Sequence, residues 1–95
     1  MAIMNRGIKR SFILNEMMIY AFMQDKRELD NMNEIFRKEF FHEEYRGTYV
    51  EYDNFRQSCL LSILYPSQRL DLLRDAYERL IYLTELENAR TRSAA

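Results

Sequence analysis

The chain has few of the residues that shape tight turns. Its 95 residues include 2 glycines and 1 proline, whereas an average protein has about 7% glycine and about 5% proline. Folds rich in β-hairpins use both residues at their turns, so the composition argues against a β-sandwich or barrel. The shortage predicts a few long helices joined by short connections.

Cysteine and histidine are each present only once. A single cysteine, Cys59, excludes an intramolecular disulfide and a cysteine-rich zinc site, and it suits a reducing compartment. Its neighbours Leu60, Leu61 and Ile63 predict a buried core thiol rather than a nucleophile. We therefore expect no chemistry at this cysteine.

The single histidine, His42, has no good partners nearby. As a metal ligand it would depend on Glu39 and Glu43, and zinc normally takes three or four strong ligands. As a phosphoacceptor it would need a basic residue and a glycine directly after it, whereas Arg46 and Gly47 lie four and five positions on. We expect an ordinary solvated histidine and no metal.

The charges are balanced, with 14 basic and 15 acidic residues and a net charge of −1. No general attraction to nucleic acid or to an anionic membrane follows. Two glycines cannot form a phosphate-binding loop, and no serine lies in a Gly-x-Ser-x-Gly motif. Arg56 and Arg69 could bind a dianion in a small helical enzyme only if they converged. We predict no enzymatic activity and no cofactor.

What the sequence does have is an apolar run from Phe12 to Met23, with ten apolar residues among twelve. It predicts a first helix over about 6–24 that is apolar on all sides and must be covered on all sides. Asn15 and Glu16 interrupt the run, which is shorter than the ~20 residues of a membrane span. No cleavage site of a signal peptide follows it. We expect a cytoplasmic protein and no membrane partner.

A second, amphipathic helix is predicted to follow. Asp25 and Glu28 have the spacing of a capping box, and the helix should end near Tyr45, before the terminator Gly47. No glycine or proline separates the first two helices, so one continuous helix is an alternative. The change of pattern at about residue 24 favours a break. The predicted apolar stripe comprises Leu29, Met32, Ile35, Phe36 and Phe40.

Residues 48–52, Thr-Tyr-Val-Glu-Tyr, are β-prone in composition. No second strand candidate exists, so we predict an extended connector with its tyrosines against the core. The alternative is a strand that pairs with its copy in a dimer or with a partner's sheet edge. Asp53 or Asn54 should cap a third helix over about 55–64, which should end before Pro66.

The last helix is predicted over about 68–90, with Ser67 as its N-cap. Asp75–Arg79 and Asp71–Arg74 are spaced to form ion pairs on its surface. Residues 1–5 and 91–95 are expected to be frayed ends of a single domain, 1–95. The apolar half of this helix is predicted to contain Leu70, Leu72, Leu73, Ala76, Tyr77, Leu80, Ile81 and Leu83.

Together these patterns predict an all-α bundle of four helices, or three if the first two are continuous. The first and third helices are both apolar nearly all round, and so small a chain cannot cover both. An exposed apolar patch usually marks an interface. We therefore expect an adaptor, chaperone-like or inhibitor protein that binds another chain and forms a homodimer. The predicted contacts are Phe12, Met17, Met18, Ile19, Phe22 and Met23, with Tyr49 and Tyr52 as aromatic anchors.

The alternative is a nucleic-acid-binding regulator that uses the basic residues Arg6, Lys9 and Arg10. Three charges neutralise few phosphates, and affinity for nucleic acid rises with that number. No stretch indicates a helix-turn-helix, because a recognition helix should expose several polar side chains and the third helix here exposes few. Protein binding is therefore the favoured hypothesis.

Overall fold

The computed structural model of the chain describes residues 6–39 and 49–94, with side chains described over 9–38 and 49–89. It contains four α-helices: α1 (Arg6–Phe22), α2 (Lys26–Glu39), α3 (Tyr49–Leu64) and α4 (Arg69–Ala94). A short 3-10 turn, Pro66–Gln68, joins α3 to α4. The described residues include no strand, so the all-α prediction is confirmed.

The first two helices are separate, as the change of pattern at residue 24 predicts. Gln24 has a φ of 58°, the left-handed conformation that often ends a helix. The N–H of Gln24 donates to the carbonyl of Ala21, and that of Asp25 to the carbonyl of Tyr20. Asp25 then caps α2, because its side chain accepts a hydrogen bond from the N–H of Glu28 at 3.2 Å. The predicted features at Phe40, Tyr45 and Gly47 lie outside the described residues.

The prediction for the start of α3 is wrong. The helix begins at Tyr49, so residues 49–52 are helical rather than extended, and neither Asp53 nor Asn54 starts it. Tyr52 and Phe55 are three positions apart on one face, and both are fully buried. Packing of these two rings outweighs the weak β preference of the segment, since such preferences depend on context. The helix ends at Leu64, before Pro66, as predicted.

The last helix is longer than its apolar pattern predicts. Ser67 lies inside the 3-10 turn instead of capping α4, and the helix continues to Ala94 over 26 residues. Its two predicted ion pairs form, with Arg79 Nε 2.8 Å from Asp75 Oδ2 and Arg74 Nη2 3.3 Å from Asp71 Oδ1. At about 1.5 Å per residue, α4 is roughly 39 Å long.

The helices form two neighbouring pairs, α1 with α2 and α3 with α4. Helices α1 and α3 each contact all three others, whereas the described parts of α2 and α4 do not contact one another. The two helices that are apolar nearly all round, α1 and α3, are therefore the central ones. The core they organise comprises Ile13, Leu14, Met17, Ala21, Leu29, Phe36, Tyr52, Phe55, Cys59, Leu73, Ala76, Leu80 and Leu83.

Candidate protein-binding face

Helix α1 has an inner and an outer side, and both are apolar. The inner side, which includes Leu14 and Met17, is buried in the core. The outer side is 48–64% exposed at its large apolar residues, although full burial of one such residue contributes about 1.5–3 kcal/mol. Helices α2, α3 and α4 leave these residues about half exposed or more. The exposed residues are Phe12, Ile19, Phe22 and Met23.

The structure divides the other predicted contact residues among three environments. Met17 and Tyr52 are fully buried, so they support the fold and cannot reach another protein. Met18 is half-buried and packs against the core. Tyr49 is 37% exposed, and its ring centroid lies 6.3 Å from that of Phe36. Of the eight predicted contact residues, the four on the outer side of α1 therefore supply most of the accessible apolar surface.

A buried polar network joins α1, α3 and α4 on their inner sides. Arg10 is 2% exposed and Glu87 is 3% exposed. The guanidinium donates from Nε to Glu87 Oε1 at 2.6 Å and from Nη2 to Oε2 at 3.2 Å. The hydroxyl of Tyr52 donates to the same Oε1 at 2.6 Å. Such a network stabilises the fold only while each charge keeps its partners.

This network corrects the prediction for the basic N-terminal residues. Arg10 cannot contact phosphates, because its guanidinium is occupied by a buried carboxylate. Lys9 is exposed, and the side chain of Arg6 lies outside those described. The ion pair was missed because its two residues are 77 positions apart, a separation at which helical periodicity carries no information.

A second contact shows that α1 and α4 run antiparallel. Arg69, at the start of α4, donates from Nη2 to the carbonyl of Phe22 at 2.5 Å, and its guanidinium lies 5.6 Å from the centre of the Phe22 ring. The Arg10–Glu87 pair joins the other ends of the same helices. Arg56 instead pairs with Asp53 in its own helix, with Nη2 2.8 Å from Oδ1. Arg56 and Arg69 therefore contact different groups on different helices.

The outer side of α4 is also apolar, which the sequence analysis missed. Leu70, Tyr77 and Ile81 are 76%, 55% and 45% exposed, although they were predicted to lie on the buried half. The residues that α4 buries are Leu73, Ala76, Leu80, Leu83 and Glu87. The apolar half of α4 is thus wider than the surface that the core covers. The sequence held a signal of this, since Leu70, Tyr77 and Ile81 lie together at one edge of the apolar half.

A depression of about 430 Å³ lies on the opposite flank of α1, where it meets α2. Lys9, Phe12 and Ile13 line it from α1, and Met32 and Ile35 line it from α2. Its walls are apolar except for the lysine. It extends the exposed surface around Phe12.

Ser58 and Cys59 are neighbouring side chains of types that can act as nucleophiles, and both are buried. Burial raises the pKa of the Cys59 thiol to about 12, so it is protonated at neutral pH and is not a nucleophile. Ser58 donates to the Asp75 carboxylate, a weak base, and this hydrogen bond, together with that of Arg79, lowers the pKa of Asp75. Within residues 6–39 and 49–94, no three metal-ligating side chains come together; His42 lies outside those ranges.

No helix in the described part of the chain has both the length and the apolar character needed to cross a bilayer. No protein-family model matches the chain, and comparison with curated proteins and with solved structures finds no match. The functional inference below therefore depends on the residues and contacts described above.

Proposed function

We propose that this chain is a small protein-binding module, an adaptor, chaperone-like or inhibitor protein, that works through the outer side of α1 and forms a homodimer. The observation that carries the proposal is the exposure of Phe12, Ile19 and Phe22, each close to half exposed or more. Contiguous apolar surface of this kind marks sites of protein association.

Two further features support protein binding over other functions. The exposed apolar residues of α1 follow one another along one side of a helix, which is the usual form of a helical docking surface. Phenylalanine and methionine, which make up most of this side, are enriched in the cores of interfaces. The flexible, polarizable side chain of Met23 can also adapt to different partners.

The test is to place a charge in the middle of this side. Ile19→Asp should weaken self-association at least tenfold while the helical circular dichroism is unchanged, because residue 19 already contacts water. Sedimentation velocity over a range of protein concentrations measures the association. Asn31→Asp is the matched control, since it adds the same charge to an exposed position on α2 and should leave association unchanged.

Equal association of the Ile19→Asp variant and the wild type would contradict the proposal. A salt titration with a random-sequence DNA duplex tests the nucleic-acid alternative in the same preparation. Binding that weakens steeply between low and moderate salt would favour that alternative, whereas an apolar interface should respond little.

A further inference from the structure

We propose that the outer sides of α1 and α4 form one continuous docking face, and that its occupant is a second copy of this chain, with each α1 packed on the other copy's α4. This inference rests on the proposed function and specifies its partner and geometry. A two-fold axis parallel to the helices and lying in the interface would relate the two copies.

The first argument is the spacing of the two helices' outer residues. In α1, Phe12, Asn15, Ile19 and Phe22 recur at intervals of three, four and three positions. This is the spacing of a helix seam that packs on another helix.

In α4, Leu70, Arg74, Tyr77 and Ile81 recur at four, three and four positions. All four are exposed. Each helix therefore presents a narrow stripe of similar length. The two stripes meet at one end, because Arg69, which is next to Leu70, has its guanidinium 5.6 Å from the centre of the Phe22 ring.

The second argument is the register between the stripes. The Arg10–Glu87 pair and the Arg69–Phe22 contact hold α1 and α4 antiparallel at both ends. The Arg69–Phe22 contact places Phe22 near the level of Leu70, and the Arg10–Glu87 pair places Phe12 within about one helical turn of Ile81. A two-fold axis parallel to the helices leaves the height of every residue along the axis unchanged. Residues that are level within one copy are therefore also level between the two copies. Each α1 stripe would then face the other copy's α4 stripe in the same antiparallel order.

The chemistry of the facing positions is compatible along this register. The apolar residues Phe22 and Phe12 would meet Leu70 and Ile81 of the second copy. In the middle, the amide of Asn15 would face the hydroxyl of Tyr77, two groups that can share a hydrogen bond.

Arg74 would face Ile19 and could cover it with its aliphatic stem while the guanidinium remains in water. Its present pair with Asp71 is exposed, at 71% and 82% for the two side chains, and such pairs contribute little. Arg74 is the only charged residue in either stripe, and interface cores are depleted of charge.

The third argument is area. The six large apolar residues of the two stripes are 45–76% exposed. At about 200 Å² for each fully exposed side chain, they present roughly 700 Å² together. A standard interface takes about 800 Å² from each partner.

Cysteine cross-linking between two different variants tests the geometry. Phe22→Cys protein is mixed with Leu70→Cys protein under mild oxidation, and disulfide-linked dimers are separated on a non-reducing gel. The mixture should give several times more linked dimer than either variant alone. The native thiol does not interfere, because Cys59 is fully buried. Asn31→Cys, at an exposed position on α2 that does not line the depression beside Phe12, replaces Leu70→Cys in the control mixture and should give no excess.

A second measurement uses charge in place of cysteine. Tyr77→Asp should weaken self-association at least tenfold, as Ile19→Asp does, with helicity unchanged. The matched control is Tyr82→Asp, which makes the same change at a residue of the same helix that is 49% exposed. Tyr82 lies about a third of a turn around the helix from the stripe, so this substitution should have no effect on association.

The outcomes separate this inference from the proposed function. If Ile19→Asp dissociates the assembly but Tyr77→Asp does not, α1 binds a partner without α4, and only the present inference is overturned. The same holds if Phe12→Cys mixed with Phe22→Cys gives the linked dimer, because α1 would then pack on α1. A wild-type chain that stays monomeric at millimolar concentration overturns both the inference and the homodimer.

Discussion

The inner and outer sides of the α1–α4 pair reverse the usual arrangement, in which apolar side chains are buried and polar side chains are exposed. On the inner side, an arginine, a glutamate and a tyrosine hydroxyl are buried together. On the outer side, Phe12, Ile19 and Tyr77 are about half exposed. The difference teaches that polarity alone does not decide which residues this bundle buries. We propose that direction and register on the inside, and a partner on the outside, explain the arrangement.

The inner network has a geometric role that apolar contacts would not fill. Arg10 can form two hydrogen bonds with Glu87 only when the two residues lie side by side across α1 and α4. Buried ion pairs add little net stability compared with apolar packing, but they can specify register. We propose that the network sets the alignment on which the outer stripes depend.

The largest effect is expected from breaking the inner side. Glu87→Ala leaves the charge of Arg10 buried without its carboxylate, which should lower the free energy of unfolding by about 3–5 kcal/mol. Urea denaturation of dilute protein, followed by far-UV circular dichroism, measures the loss. Glu85→Ala is the control on the same helix, since Glu85 is exposed, and its effect should stay within about 0.5 kcal/mol. Similar effects of the two substitutions would show that the network is not a determinant of the fold.

Replacing the whole inner network sharpens its role. The triple variant Arg10→Met, Tyr52→Phe, Glu87→Leu removes all three polar groups together, so it should be at least about 2 kcal/mol more stable than Glu87→Ala. If the network sets register, the triple variant should nevertheless lose the Phe22→Cys and Leu70→Cys cross-link. A triple variant that folds and cross-links like the parent would assign register to apolar packing instead.

An intermediate effect is expected where α4 meets α3. Hydrogen bonds from Ser58 and then Arg79 lower the pKa of Asp75. A folded-state pKa below the unfolded value of about 3.9 stabilises the fold at neutral pH, and this contribution is lost as the pH falls through the folded pKa. The Asp75 side chain is 43% exposed, so solvent screening reduces the effect.

Ser58→Ala removes the larger cause of that shift. It should lower the free energy of unfolding by less than about 1 kcal/mol at pH 7 and make its decline below pH 4 shallower. Urea denaturation at pH 7 and at pH 3 checks both expectations. Ser67→Ala, at an exposed position, is the control. If the free energy of unfolding of Ser58→Ala declined below pH 4 as steeply as that of the wild type, the hydrogen bond would be excluded as the cause of the lowered pKa of Asp75.

The smallest effect on folding is expected on the outer side. Leu70 is 76% exposed, so Leu70→Ala should change the unfolding free energy of dilute, unassociated protein by no more than about 0.5 kcal/mol. The same variant should weaken self-association measurably by sedimentation. A large loss of stability in dilute protein would show that Leu70 supports the subunit itself.

Sequence reasoning predicted the helices whose signals are local. Asp25 caps α2 where its spacing to Glu28 predicts, and Pro66 lies just beyond the end of α3. It failed at Tyr49–Tyr52, because the β preference of tyrosine and valine is local whereas the burial of Tyr52 depends on α4, distant in the chain. The type of each secondary-structure element could therefore be predicted from the sequence where packing and local preference agreed.

The candidate face was predictable only in part. The all-round apolar character of the first helix indicated that some of it would stay uncovered, but not which side. Met17 and Ile19 are equally apolar in sequence, and only the positions of α2 and α4 make one buried and the other exposed. The contribution of α4 was missed, because a wide apolar half was taken as wholly buried.

The thiol of Cys59 gives this protein an internal reporter of transient opening. It is fully buried in α3, and desolvation raises its pKa to about 12, so a thiol reagent should react only in molecules whose core has momentarily separated. The labelling rate, compared with that of unfolded chain, then gives the population of those open molecules under native conditions, with no engineered probe.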